Sequence, residues 1–281
     1  MNDDWPPTGG SVVPNGIRNR AGVALGAGLV TGTAAGLVGV GGGEFRIPVL
    51  LYLFRSQPRT AAGVNLLVGL FTVLLSLWRR WSQHSWSIED ASLATVLAAA
   101  SLLGAVVGAR GAHRLRTPLL RKAVTIYLVV VGLWMIVEAV TRTDRTFLEP
   151  QGAARLLLAA VIGFAIAVAS AALGVAGGEM RIPALMYLFG ISIRSAGTIS
   201  LLVSIPTVAA GALTYRRLGH VPNGVLPIGL AMAAGSLAGV LLGVALLPHV
   251  DSHTLKGVLG GVLLLATMGI ARTGSMMAPS R

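Results

Sequence analysis

Eight long apolar stretches constrain this chain more than any other feature. They lie at about residues 21–43, 60–78, 91–110, 120–140, 154–176, 195–215, 224–247 and 254–271. Roughly 18 or more apolar residues suffice for a helix to cross about 30 Å of hydrocarbon. Composition agrees: 54% of the residues are hydrophobic, 11% are charged, and the mean hydropathy is +0.77. A soluble domain carries about 25% charged residues, so a wettable exterior is out of reach here. Nothing alternates with the period of two that a transmembrane barrel needs. The sequence therefore predicts an all-α polytopic membrane protein embedded in a lipid bilayer, and excludes a soluble enzyme.

A formal net charge of +12 would suit nucleic acid if the basic residues formed one face. They sit instead near the ends of apolar stretches, as in Arg79-Arg80, Arg114 to Lys122 and Arg216-Arg217. Charge of that kind orients a protein in the membrane, and no nucleic-acid partner is expected. Cysteine is absent, which excludes disulfides, thiol catalysis and cysteine metal sites. Residues 1–20 read as a polar tail without the basic start and early apolar run of a signal peptide. The expected organisation is a first membrane repeat at 21–140, a linker at 141–153, a second repeat at 154–272 and a C-terminal tail at 273–281.

The division into repeats comes from self-comparison. Gly39-Val-Gly-Gly-Gly-Glu-Phe-Arg-Ile-Pro48 returns as Gly174-Val-Ala-Gly-Gly-Glu-Met-Arg-Ile-Pro183, an offset of 135 residues. About 17 of the 31 residues from Gly39 to Gly69 are identical in the copy, and the same offset pairs Ser101, Gly104 and Gly108 with Ser236, Gly239 and Gly243. Such repeats are characteristic of secondary transporters, whose site lies between them. Each half holds four full spans and one short segment, at 47–54 and 182–193, too short to cross unaided. If the short segments cross, the halves are inverted; if they re-enter, the halves are parallel. With a cytoplasmic N-terminus, five passes per half gather most Arg and Lys inside and leave Arg79, Arg80, Arg142, Arg145, Arg155, Arg194 and Lys256 outside. The positive-inside rule thus favours inversion.

Glu44, Arg46, Glu179 and Arg181 stand deep in apolar surroundings at equivalent places. A charge at membrane depth costs at least about 2.5–3.5 kcal/mol unless compensated, which directs attention to function. The glycines before them, Gly41, Gly42 and Gly43 in one half and Gly177 and Gly178 in the other, break the helix and free backbone polar groups. Pro48 and Pro183 are expected near the start of a resumed helix, where a missing N–H is tolerated. The half-helix N-termini would then attract an anion, with Arg46 and Arg181 as fork donors. The alternative is that each Glu simply pairs with an Arg to staple the broken helices. Gly39 and Gly41 do not open a dinucleotide fingerprint, because Glu44 occupies the third glycine position. No cofactor and no metal are expected.

The duplicated Gly-x-Gly-Gly-Gly/Gly-x-Ala-Gly-Gly run, with Ile47-Pro-Val-Leu50 and Ile182-Pro-Ala-Leu185 beside it, resembles the TauE/SafE sulfite exporter family. The resemblance spans both halves. It implies a bacterial or archaeal inner-membrane permease, a secondary transporter exporting sulfite or a related organosulfur anion. It also implies that residues 41–48 and 177–183 line the substrate path, with Asn65 and Ser200 at a small polar position. Glu44, Arg46, Glu179 and Arg181 stand where family members commonly carry apolar residues; the acidic pair could tune selectivity or couple protons.

Weaker signals remain. Asn65, Ser200 and Ser204 could line the path or hydrogen-bond between helices. His249 and His253 flank Asp251 at helical spacing, a weak metal signal. Glu138 is expected to snorkel towards the interface, and Trp78, Trp81 and Trp86 to form an aromatic belt. Gly104, Gly108, Gly239 and Gly243 are small-xxx-small patterns for close packing, between the halves or between protomers of a homodimer. Rival functions are a passive anion channel and an intramembrane enzyme acting on lipid.

Overall fold

A computed structural model of the chain describes residues 16–50, 54, 56–81, 88–111, 117–173, 175–219, 221 and 225–276. Among these there is no strand. The first half contains α1 (Gly16–Val38), α2 (Gly43–Pro48), α3 (Pro58–Trp81), α4 (Ile88–Gly111) and α5 (Thr117–Thr141). The second contains α6 (Gly152–Leu173), α7 (Gly178–Phe189), α8 (Ile193–Arg217), α9 (Leu226–Leu246) and α10 (Ser252–Met276), with a 3₁₀ turn at Leu247–His249. Among the described residues, seven helices are long and apolar enough to span a bilayer, and α10 has a shorter apolar stretch at Ser252–Leu265. The chain is a multi-pass membrane protein.

The short helices begin four residues before the expected segments. Gly42 and Gly177 adopt φ of 71° and 78°, a left-handed turn that costs glycine little. Each redirects the backbone immediately ahead of its Glu/Arg pair, so the charges lie inside α2 and α7 rather than before them. Pro183 is consequently the sixth residue of α7, not a first-turn proline, and it leaves the Glu179 carbonyl without its helical donor. Gly190, at φ 67°, closes α7 by donating its N–H to the Leu185 carbonyl. The helix therefore stops before the expected end at Ile193.

The two most buried spans, α3 and α8, form the centre, while α5 and α6 present much of their surface outward. Leu66 lies against Gly211 and Gly69 against Val208, while Val73 and Leu77 cluster with Leu201. These contacts make α3 and α8 antiparallel. The same holds for α5 and α10, where Gly132 meets Leu263, Ile136 meets Gly260 and Ala139 meets Gly257. Arg80, near the end of α3, donates to the Leu37 carbonyl near the end of α1 at 2.8 Å. Those two helices therefore end at the same side, and the chain between them returns across the bundle.

Helix association inside lipid depends on close packing rather than on hydrophobic transfer. Here α1 packs chiefly on α9, and α4 on α6. A Cβ on Gly104 or Gly108 would collide with the Phe164 or Val168 carbonyl, and one on Gly239 or Gly243 with the Leu29 or Thr33 carbonyl. Those four contacts map onto one another at the offset of 135. The small-residue patterns thus join the halves to each other.

Candidate functional site

The two breaks meet. A Cβ on Gly41 would stand 2.5 Å from the Cβ of Ala176, its own equivalent, and one on Gly178 would stand 3.1 Å from the Val40 Cα. Gly42 rests against Thr31 and Ala35 of α1, and Gly177 against Ile166 and Ser170 of α6, again at matching positions. On the far side Asn65 abuts Gly43, and Ser200 abuts Gly178; both side chains are buried. The structure therefore brings Gly41, Gly42, Gly43, Asn65, Gly177, Gly178 and Ser200 to one crossing. Glu44 lies on the backbone of α2, but its side chain is outside the described residues.

Both arginines are fully withdrawn from solvent and lipid, at 0% exposure for Arg46 and 1% for Arg181. Their hydrogen bonds differ. Arg46 turns back on its own break, with Nε donating to the Gly42 carbonyl at 3.1 Å and Nη2 to that of Gly41. Arg181 reaches across to α8, where Nη1 donates to the Ser200 carbonyl at 3.1 Å and to Ser204 Oγ at 2.9 Å. The Ser204 hydroxyl in turn donates a hydrogen bond to the Ser200 carbonyl at 2.7 Å. Nε and Nη2 of Arg181 find no hydrogen-bond partner among the described residues. None of its bonds goes to Glu179, two residues before it on α7.

Glu179 is buried in the first turn of α7, whose N-cap, Gly177, brings no side-chain cap. Tyr127 of α5 braces that turn by donating to the Met180 carbonyl at 3.0 Å. An uncapped N-terminal turn, positive by its dipole, and a cation with free donors four residues in suit an anion. Six-residue α2 is too short to contribute the same way.

The remaining candidates resolve without ligand chemistry. Asp251 caps α10, accepting from the His253 and Thr254 N–H groups at 3.1 Å each. No group of three or more metal-binding side chains occurs among the described residues. Trp78 and Trp81 are exposed, whereas Trp86 lies outside the described residues.

Two expectations are overturned. Glu138 does not snorkel: it is buried, 2.7 Å from the Lys256 ammonium, and accepts from Trp134 Nε1 and the Tyr187 hydroxyl. Partners on three helices hold it inside, which a reading of one span cannot anticipate. The signal was Lys256, the single charge in residues 254–271. Arg80, placed by sequence among external loop charges, is likewise buried, because α3 continues past it to Trp81 and turns it inward.

Comparison with known proteins agrees with this architecture. The sulfite exporter TauE/SafE family profile matches residues 24–270, nearly the whole membrane region. The chain belongs to that family. It is 25% identical over 258 residues to the probable membrane transporter protein YunE of Bacillus subtilis (strain 168), covering 85% of this chain and 92% of YunE. A second relative from the same organism, the probable membrane transporter protein YjnA, is 24% identical over 249 residues, covering 85% and 95%. No solved structure matches. Membership of the TauE/SafE family puts the chain among membrane transporters rather than enzymes.

Proposed function

We propose that this TauE/SafE protein is a secondary transporter that exports a small anion, sulfite or an organosulfonate, across a bacterial or archaeal inner membrane. The observation that carries the reading is Arg181, a buried guanidinium with two open donor atoms beside the uncapped start of α7. A guanidinium fork matches the oxygens of sulfite or sulfonate. The duplicated glycines and the small polar residues Asn65 and Ser200 surround the same crossing. The antiparallel courses of α3 with α8 and of α5 with α10 support inverted halves, each crossing five times; the distribution of Arg and Lys supports a cytoplasmic N-terminus. Buried Glu179 is the group through which a proton would couple.

Uptake of sulfite, thiosulfate, sulfoacetate, taurine and carboxylates into proteoliposomes tests the proposal. Counterflow with one of the sulfur anions is expected for a carrier and separates it from a channel. Arg181→Lys should lower transport at least tenfold with normal yield, because the ammonium cannot reproduce the fork. Wild-type transport by Arg181→Lys would refute anion binding at this residue.

A further inference from the structure

Arg80 is a third buried guanidinium, after Arg46 and Arg181, and nothing in the motif announces it. It is 1% exposed, its Nη2 donates to the Leu37 carbonyl, and its Nε and Nη1 find no partner among the described residues. No hydrogen bond or ion pair joins it to a carboxylate among the described residues. A single donor suffices to cap the Leu37 carbonyl at the end of α1, so capping leaves the rest of the fork unexplained. Room for that fork is made by two glycines: a Cβ on Gly39 or on Gly197 would stand 2.6 Å from Nη1.

The place of those glycines joins Arg80 to the crossing. Gly39 belongs to the first break, and its carbonyl oxygen lies 3.6 Å from a Cβ position on Gly178. Gly197 stands on α8 three residues before Ser200, whose carbonyl holds Arg181. Residues three apart share a helix face and differ by about 4.5 Å in height. Arg80 and Arg181 thus contact successive positions on one face of α8. The next charge on α8 towards its N-terminus, Arg194, has the same sign. A buried cation with open donors and no counter-ion is costly unless an anion visits it.

We propose that Arg80 is a second anion-binding residue, which takes the transported anion from Arg181 and releases it on the side where α1 and α3 end. This rests on the anion-transport reading above. The test uses the full chain with sulfite as probe, in Arg80→Lys, Arg80→Gln and Arg181→Lys. KM is read from proteoliposome uptake, and thermal stabilisation in detergent is compared for sulfite and gluconate at matched ionic strength. Lysine can still cap Leu37, so Arg80→Lys should fold normally, raise KM about tenfold and lose most of the stabilisation by sulfite; Arg80→Gln should do so more strongly. Wild-type KM and stabilisation in Arg80→Lys, or a lower maximal rate at unchanged KM, would reduce Arg80 to a helix cap and overturn the proposal. Absence of transport and of stabilisation for every anion in the wild type would instead bring down the transport reading, and this one with it.

Discussion

Adding one methyl group at the crossing of the breaks tests how the halves meet. Gly41 has no left-handed backbone requirement, so alanine is conformationally acceptable there. The new Cβ would nevertheless stand 2.5 Å from the Ala176 Cβ, about 1 Å closer than two carbon atoms sit in contact. Both loops are tied to the helices behind them, and overpacking of this kind costs about 1–3 kcal/mol. Deleting the opposing methyl restores the space, so Gly41→Ala with Ala176→Gly should recover most of the loss. The coupling between the two changes should itself be about 1–3 kcal/mol. Gly42→Ala is the control: φ there is 71°, so the strain is local and Ala176→Gly should not relieve it. Thermal unfolding of the four variants in detergent, with anion uptake in parallel, gives the cycle. Additivity of Gly41→Ala and Ala176→Gly would show that the breaks do not touch and refute the argument.

The Glu138–Lys256 pair should be the most sensitive charge pair outside the crossing. Lys256→Met leaves a buried carboxylate with only its Trp134 and Tyr187 donors, and breaking a buried pair costs roughly 3–5 kcal/mol; a thermal shift no larger than that of Asp144→Asn would contradict this. Asp144, on the exposed side of the same lysine, is worth about 0–1 kcal/mol as a surface partner. The Lys256 hydrogen bond holds its carboxyl below the usual carboxylate range. Its contribution is therefore complete above about pH 4 and is lost as pH falls through the lower folded value. Asp144→Asn should flatten that acid limb of stability against pH. For topology, single cysteines at Gln57 and Ser192, both exposed, should label from opposite sides with an impermeant thiol reagent, Ser192 from outside; labelling of both from one side would contradict inverted halves.

The sequence made the spans and the duplication legible because membrane-length apolar runs and a gap-free repeat are local signals. It also located the crossing, since glycines beside charges at membrane depth have few structural uses. What it missed are partnerships between distant helices. Glu138 and Lys256 are 118 residues apart, and Arg80 reads as a helix-end charge until α1 is seen ending beside it. The boundaries of α2 and α7 differ from the apolar segments for another reason. Apolar content marks where a segment can sit in lipid, whereas left-handed Gly42, Gly177 and Gly190 set where these helices start and stop.

Identical motifs do not make equivalent arginines. Arg46 and Arg181 occupy matching places after matching breaks, yet the residues that face them on the next helix differ. Position 204 offers Arg181 a serine hydroxyl, while its equivalent on α3 is Gly69, whose Cβ position lies 3.9 Å from Arg46 Nη1. Without a side-chain acceptor there, Arg46 bonds the carbonyls of Gly41 and Gly42, satisfying backbone groups that the break itself orphaned. Arg181 spends one nitrogen on α8 and keeps two others open. Arg46 therefore braces its own break, whereas Arg181 reaches across to α8. The break is thus kept in both halves, while divergence on the facing helix, Asn65 against Ser200 and Gly69 against Ser204, lets the two arginines take different partners.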